Sequence, residues 1–237
     1  MLLAACRPPP LPPLVPMPLV PASRDSAVAW TRATTPRTPT LIRFRWSYQD
    51  ERVRYTGRGS ARIAPPDSLR FDYVGPLGFG SGAAVLIADS VAWADPEQNF
   101  RSLVPAIPML WAALGIVQPP APDAAVFTAT DSAAAGRRIW RFIRGGDTLS
   151  YVASTAAGSG AAPGGAAERA AATGGWLDAE WRRSGQMLAR GHCQLDAQGR
   201  PARARVDFPE GPARFELQVV AVDTAAVLAP AMWRSRR

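Results

Sequence analysis

The chain has 237 residues, of which 47% are hydrophobic, enough for one large core or two small ones. Its formal charge is +8 and every basic residue is an arginine, which permits contact with nucleic acid or anionic lipid but fits arginine-covered strands equally well. One histidine and two cysteines exclude a zinc finger or ribbon and leave no cluster with metal-ligand spacing.

The N-terminal sequence MLLAACRPPP contains Leu3-Ala4-Ala5-Cys6, which resembles the lipobox of bacterial lipoproteins. Fewer residues precede Cys6 than the basic and apolar regions of a signal peptide require. The following stretch, residues 7–39, is rich in proline and aperiodic, which predicts an extended tether. Either the true start lies further upstream or the match arises by chance. The proline-rich stretch favours the first explanation, and we therefore interpret residues 1–6 as the remnant of a lipoprotein signal and expect lipidation at Cys6.

From Thr40 onward, apolar and polar residues alternate with period two, which predicts antiparallel strands with one buried and one solvated face. The apolar face of the first predicted strand comprises Ile42, Phe44, Trp46 and Tyr48. The segments RVRYTGRGSARIA and SLRFDYV continue the alternation, and the turn residues at 65–67 separate them.

The segment AAVLIADSVAW predicts two further strands that meet near Asp89-Ser90. RIWRFIRG and TLSYVAS predict a hairpin turning at residues 145–147, and QMLARGHCQL, PARARVDF and PARFELQVVAV predict three successive strands. Residues from about 153 to 175 are a Gly/Ala-rich stretch with few large side chains, which predicts a flexible insertion. The last residues, 231–237, form a basic tail.

One segment, ADPEQNFRSLVPAIPMLWAALGIVQPP, has helical rather than strand character. Asp95 as N-cap, Pro96 at the first helical position and Gln98 in a capping-box-like pair predict a helix start. A second helix is indicated by apolar residues at helical spacing, namely Ile107, Leu110, Trp111 and Leu114. We expect two short helices with a bend at Val104-Pro105 or near Pro108.

The glycine-rich stretch GPLGFGSG, residues 75–82, does not predict a nucleotide site. A phosphate-binding glycine loop opens a helix whose N-terminus holds the phosphate, whereas strands are predicted on both sides of this stretch, and the chain has no lysine for a P-loop. The glycines predict a projecting turn, with Leu77 and Phe79 as its apolar side chains.

No combination of residues predicts catalysis. His192 and Cys193 are adjacent on a predicted strand and point to opposite faces, so we expect an outward histidine and a core cysteine rather than a base and a nucleophile. Asp178 and Glu180 share a strand face, but such pairs are common and weak evidence for hydrolysis. Arginines that alternate singly without exposed aromatic neighbours do not favour nucleic-acid binding.

The order of these parts resembles the LolA/LolB lipoprotein-sorting family, most closely its LolB-type outer-membrane receptors, over residues 40–230. The resemblance is carried by the projecting loop and by the helical segment IPMLWAALGIVQPP. The matching positions are Gly75, Pro76, Leu77 and Gly78 in the loop, and Pro108, Leu110, Trp111, Gly115, Pro119 and Pro120 in the helical segment.

The resemblance implies a mainly β α+β fold, a curved antiparallel half-barrel covered by a few short helices, that takes up the acyl chains of other lipoproteins. It implies that Leu77 contacts the membrane, and we extend this expectation to Phe79. We expect the acyl cavity to be lined by Phe44, Trp46, Tyr48, Phe71, Leu110, Trp111 and Leu114. No cofactor, no metal and no nucleic acid is expected as a ligand.

The resemblance also implies an envelope location. We expect a lipid-anchored monomer at the outer membrane, facing the periplasm, with a soluble periplasmic carrier as a candidate partner. Arg7 follows Cys6 where some bacteria place an inner-membrane retention aspartate, which favours the outer membrane. The alternative is an envelope-assembly lipoprotein that binds a protein partner with the same sheet and transports no lipid.

Overall fold

The computed structural model describes residues 14–15, 18–76, 81–131, 137–155 and 174–234. In this part of the chain the helices are α1 (Arg24–Thr34), α2 (Glu97–Leu103) and α3 (Ile107–Ala113), followed near the C-terminus by a 3-10 helix, Pro230–Trp233. The strands are β1 (Val20–Pro21), β2 (Thr40–Gln49), β3 (Arg54–Ala64), β4 (Ser68–Val74), β5 (Gly82–Ile87), β6 (Ser90–Asp95), β7 (Ala125–Asp131), β8 (Arg137–Arg144), β9 (Asp147–Thr155), β10 (Gly175–Arg183), β11 (Gln186–Leu195), β12 (Pro201–Phe208) and β13 (Ala213–Asp223).

The strands form one antiparallel sheet in the order β1-β7-β8-β9-β10-β11-β12-β13-β2-β3-β4-β5-β6. Two meanders, β2 to β6 and β7 to β13, are joined where β13 pairs with β2. The sheet does not close into a barrel, since β1 and β6 remain its two edges. The predicted fold class, a curved antiparallel sheet with a few short helices, is confirmed.

The two faces of the sheet differ as the alternation predicts. On β2, Ile42, Phe44 and Trp46 are buried, whereas Arg43 and Arg45 are exposed on the opposite face. We call the first face inner and the second outer. Each large apolar side chain that the inner face buries contributes roughly 1.5–3 kcal/mol, so that face supplies most of the driving force for folding.

Three helices cover the inner face. On α1, Trp30 stacks on Trp140 of β8 with ring centroids 5.6 Å apart. On α2, Phe100 is 1% exposed and lies edge-on to Phe71 of β4. Every residue from Met109 to Leu114 in the α3 region is buried, so α3 lies at the centre of the core between the other two.

The tether predicted for residues 7–39 is wrong from residue 18 onward. β1 pairs with β7, and α1 begins after Ser23, whose hydroxyl accepts the Ser26 amide at 3.1 Å. Ala27, Trp30 and Thr31 are buried at helical spacing, and this apolar face holds the segment on the sheet. The folded domain therefore starts well before Thr40.

The N-terminal segment also contacts the outer face. Val15 packs with Ile139 and Val152 in a small separate cluster, and the carbonyl of Val15 accepts the Arg141 guanidinium at 3.3 Å. The chain thus passes from the outer face, around the β1 edge, to α1 on the inner face.

The start of α2 differs from the sequence prediction. Asp95 is the last residue of β6, where it pairs with Ala83, and its peptide bond to Pro96 is cis. Pro96 is the N-cap and makes no side-chain capping bond. The predicted Asp95 cap is wrong because the β5–β6 ladder already holds that residue. The bend at Val104-Pro105 is confirmed, since α2 ends at Leu103.

Two glycines of β3 let large aromatic rings lie across the inner face. A Cβ atom at Gly57 would lie 2.6 Å from the Trp46 ring, and one at Gly59 would lie 2.5 Å from the Phe44 ring and 2.6 Å from the Asp72 carbonyl. Trp46 is held further by its Nε1, which donates to the Arg58 carbonyl at 3.2 Å. The sheet therefore depends on glycine at these positions.

We expect Gly59→Ala to lower the free energy of unfolding by about 1–3 kcal/mol, because the methyl group overlaps a ring and a strand carbonyl that have no room to move. Urea denaturation measures the change. Gly211→Ala is the matched control, since nothing lies within 4 Å of a Cβ there. Equal stabilities of the two variants would contradict the prediction.

Candidate functional site

A cleft of about 910 Å³ opens on the helix side of the sheet. It lies between α1, the segment that connects α3 to β7, and strands β8 to β10. Its volume falls in the range of about 300–1,000 Å³ that is usual for small-molecule and lipid-sized ligands. We call it the helix-side cleft.

The helix-side cleft has apolar walls. Phe142 and Leu149, which are register partners on β8 and β9, line it together with Tyr151, and Trp111 of α3 and Val28 of α1 face them. Burial raises the pKa of the Tyr151 hydroxyl well above its usual range, so that group stays neutral at physiological pH. The interior of the cleft therefore offers apolar surface and no charge from these side chains.

Charged groups are found at the rim. Arg24 donates to the Pro120 carbonyl at 3.1 Å, and Arg144 forms an exposed ion pair with Asp123 at 3.0 Å. Arg32 and Arg37 also line the cleft, as do Asp67, Asp89 and Asp147. An apolar interior with charged groups at its mouth suits a ligand with a long apolar part and a polar end.

One polar group inside the cleft is unpaired. The amide nitrogen and oxygen of Gln118 are both buried and have no hydrogen-bond partner among the described residues. Leaving a buried amide without partners costs on the order of 1–3 kcal/mol, and such groups in native proteins usually have a role. The Gln118 side-chain N–H group can donate to a ligand carbonyl, and its oxygen can accept from a ligand N–H or O–H group.

The seven residues predicted to line an acyl cavity lie together, but mostly inside the packed core. Phe44, Trp46, Phe71, Leu110 and Leu114 are all buried in the main core between the sheet and its helices, and Tyr48 is partly buried against that core. Only Trp111 among them lines the helix-side cleft, and its Nε1 donates to the Ala88 carbonyl at 2.7 Å. Their contact with a ligand stays a prediction.

The sequence reasoning missed the residues that form the cleft. Phe142 and Tyr151 are inner-face positions of a correctly predicted hairpin, so alternation along RIWRFIRG and TLSYVAS could have identified them. Gln118 gives no sequence signal, because only the folded position of its loop buries it.

The structure resembles solved proteins although its sequence does not. No protein-family model matches the chain, and no curated protein matches it significantly. A LolA-superfamily protein from Nitrosomonas europaea superimposes with a TM-score of 0.51 over 90% of this chain and 98% of that one, at 9% identity. This chain has a LolA/LolB-like fold.

Two other solved structures match with lower TM-scores. A putative outer-membrane lipoprotein-sorting protein domain from Vibrio parahaemolyticus matches with a TM-score of 0.36 at 7% identity, over 89% of this chain and 97% of that one. MucB matches with a TM-score of 0.35 at 13% identity, over 92% of this chain and 65% of its own.

Three predicted functional residues of the LolA-like chain, Cys6, Leu77 and Phe79, lie outside the described residues. The loop is described up to Pro76, which is exposed, after Gly75, which is buried. Along the described part of the chain, none of the helices combines the length and apolarity needed to span a membrane.

A second cavity, of about 1140 Å³, lies on the outer face, and we call it the outer groove. It crosses β11, β12, β13, β2 and β3, and Val74, Gly75 and Pro76 border it. Its polar lining residues are His192, Gln194, Arg203, Arg205, Glu216, Gln218, Arg45, Ser47, Thr56 and Arg58.

The prediction for His192 and Cys193 is confirmed, since they lie on opposite faces. His192 is exposed in the outer groove, with Nδ1 2.6 Å from Asp178 Oδ1. Cys193 is fully buried, and burial raises its thiol pKa to about 12, so no thiolate is available. Glu180 is occupied by ion pairs to Arg182 at 2.7 Å and to Arg190 at 2.6 Å.

We expect the pKa of His192 to lie above its ordinary value, because its hydrogen bond to Asp178 favours the imidazolium over the opposing effect of burial. His192 is the only histidine, so NMR titration of one imidazole resonance measures it directly. Asp178→Asn should lower this pKa. Identical titrations of the two proteins would contradict the assignment.

The hydrogen bond between His192 and Asp178 also makes the stability of the protein depend on pH. A raised folded-state pKa stabilises the protein at pH values below the ordinary pKa of histidine, and this stabilisation is lost as the pH rises through the folded pKa. Since His192 is nearly half exposed, the stabilisation should stay below about 1 kcal/mol.

Proposed function

We propose that this protein binds acyl chains in the helix-side cleft and acts in lipoprotein localisation in a bacterial envelope. The observation that carries the proposal is the combination, in one cleft, of apolar walls, a buried unpaired amide at Gln118 and arginines at the rim. The LolA-like fold supports it, because that sheet leaves an apolar inner face that three short helices cover.

The energetics of the cleft suit an acyl chain. Each methylene moved from water into apolar surroundings contributes about 0.8 kcal/mol, so ten buried methylenes would contribute about 8 kcal/mol before the costs of association. Gln118 would pair with the ester or amide carbonyl of the ligand, and Arg24 and Arg32 lie where a polar end would emerge.

A larger cavity would need the covering helices to move. Phe44 stacks on Phe71 with ring centroids 5.3 Å apart, and Phe71 lies edge-on to Phe100 of α2, so a ligand reaches these rings only when the helices are displaced from the sheet. In this proposal the cleft is the entrance, and the predicted lining residues form the deeper part of the cavity after that displacement.

Membrane attachment is proposed through Cys6, with the protein facing the periplasm from the outer membrane. Leu14 and Val15 pack on the outer face, so only residues 7–13 separate Cys6 from the folded domain. A stretch of this length reaches about 25 Å when fully extended. The anchor would therefore hold the domain close to the bilayer.

We expect Val28→Glu to weaken acyl-chain binding at least about tenfold, since it places a carboxylate beside the apolar walls of the cleft. Displacement of a fluorescent fatty acid measures the affinity, and the melting temperature checks the fold. Val227→Glu is the matched control, since Val227 is 95% exposed.

Binding that is unchanged in Val28→Glu would place the ligand outside the helix-side cleft. If purified wild-type protein takes up no acyl chain, the proposed function is wrong, and the alternative, an envelope lipoprotein that binds a protein partner, becomes the better one.

We expect the double change Leu77→Ser and Phe79→Ser to leave stability and acyl-chain affinity unchanged but to slow the transfer of bound lipid to vesicles, because apolar loop side chains contribute by entering the bilayer. Transfer of a fluorescent lipid measures the rate. Ile87→Ser with Val220→Ser is the control, since both side chains are exposed apolar residues outside the loop. An unaltered transfer rate would contradict the role of the loop.

A further inference from the structure

The outer groove contains a row of arginines that the strand register places side by side. Arg45 of β2 lies directly opposite Arg58 of β3. On its other side Arg45 lies opposite Gln218 of β13, which in turn lies opposite Arg203 of β12. Directly opposed residues on neighbouring strands have Cβ atoms about 4.5–5.5 Å apart. The three arginines therefore occupy positions in one short row that runs across the strands of the groove.

These three arginines have no acidic partner in the described part of the chain. None of them forms an ion pair or a side-chain hydrogen bond there. On the same face Arg62 is paired with Asp72 at 2.5 Å, and Arg205 with Asp207 at 2.7 Å. Arg43 and Arg54 also face outward, so the feature that distinguishes Arg45, Arg58 and Arg203 is that they lie together in one groove.

The groove carries a net positive charge. Its lining contains four arginines and one glutamate, Glu216, which accepts the Ser47 hydroxyl at 3.4 Å. Like charges directly opposite each other on a sheet are destabilising, so Arg45 and Arg58 reduce the stability of the folded protein unless an anion lies between them. The planar, multiply donating guanidinium groups match a phosphate better than a point charge would.

The position of the groove indicates where the phosphate comes from. Val74 pairs with Arg58, and Val74, Gly75 and Pro76 form one border of the groove. Pro76 is followed in the chain by Leu77, which we propose to enter the membrane. When that loop meets a bilayer, the arginines of the groove lie beside the headgroups.

We propose that the outer groove, through Arg45, Arg58 and Arg203, binds the phosphates of anionic lipid headgroups at a membrane surface. The proposal rests on the proposed membrane contact of the loop but not on acyl-chain binding in the helix-side cleft. It assigns the two faces of the sheet different ligands: the inner face takes the apolar chain, and the outer face docks the protein on the bilayer from which the chain comes or to which it goes.

The test compares co-sedimentation with vesicles of phosphatidylcholine alone and of phosphatidylcholine with phosphatidylglycerol. The wild-type protein should bind only the second kind, and its binding should weaken as salt is added. The triple variant Arg45→Gln, Arg58→Gln, Arg203→Gln should bind these vesicles about 100-fold more weakly, since each arginine near an anionic surface contributes roughly a factor of five.

The matched control removes the same charge elsewhere. Arg101→Gln, Arg138→Gln and Arg183→Gln change three exposed arginines outside the groove, and this variant should bind vesicles nearly as well as the wild type. Equal losses in the two triple variants would show that net charge alone drives binding, and the groove assignment would then be wrong.

Two further measurements distinguish lipid phosphate from other anionic ligands. Inorganic phosphate at the concentration of vesicle phosphate should not displace the protein, and displacement would make free phosphate the ligand. Binding of poly-glutamate through the three arginines, without binding to anionic vesicles, would overturn the lipid proposal in favour of an acidic protein partner.

Acyl-chain affinity is measured on the same triple variant and should be unchanged. If the wild-type protein binds anionic vesicles but no fatty acid, the proposed function alone is refuted. If the wild-type protein binds fatty acid but does not distinguish anionic from neutral vesicles, the proposal for the outer groove alone is refuted.

Discussion

The rest of the structure depends on one constraint: a wide sheet that stays open has an apolar face that must be covered. Strand pairing ends at β1 and β6, so the inner face cannot cover itself as a closed barrel does. The segment between β6 and β7 therefore crosses the sheet as α2 and α3, and the residues from Met109 to Leu114 are buried there. Helices this short cannot cover every strand, and the helix-side cleft lies where α1 and α3 leave the β8–β10 surface open.

The second requirement of an open sheet is that its edge be protected, and the N-terminal segment does this from both sides. β1 pairs with the β7 edge, Trp30 stacks inside on Trp140, and Val15 packs outside against Ile139. Glu180, a buried carboxylate on the outer face, accepts the Leu14 amide at 3.1 Å and so ties this segment to β10. The N-terminal segment contacts both faces of the sheet and is therefore part of the folded domain. Any anchor attached to this segment would lie close to the sheet.

Sequence alone predicted the sheet well because period-two alternation is a direct consequence of strand geometry. It failed for α1, whose buried Ala27, Trp30 and Thr31 have helical spacing but stand among prolines that suggested an extended chain. It failed at Asp95 because a residue that suits an N-cap was already used by a strand. The cleft could not be predicted, since it depends on which part of the inner face the helices leave uncovered, and Gln118 acquires its environment only through tertiary packing.

The inner and outer sites are coupled by strand register. Trp46 and Arg45 are neighbours in sequence, and on β3 their partners are Gly57 and Arg58. The glycine lets the indole ring lie over β3 on the inner face, while the same register brings two arginines together on the outer face. A shift of one residue in the register of β2 would point the Trp46 ring to solvent and the arginines into the core. The packing energy of the aromatic rings therefore holds together two like charges that repel each other, and this keeps the proposed anion-binding row in place when no ligand is bound.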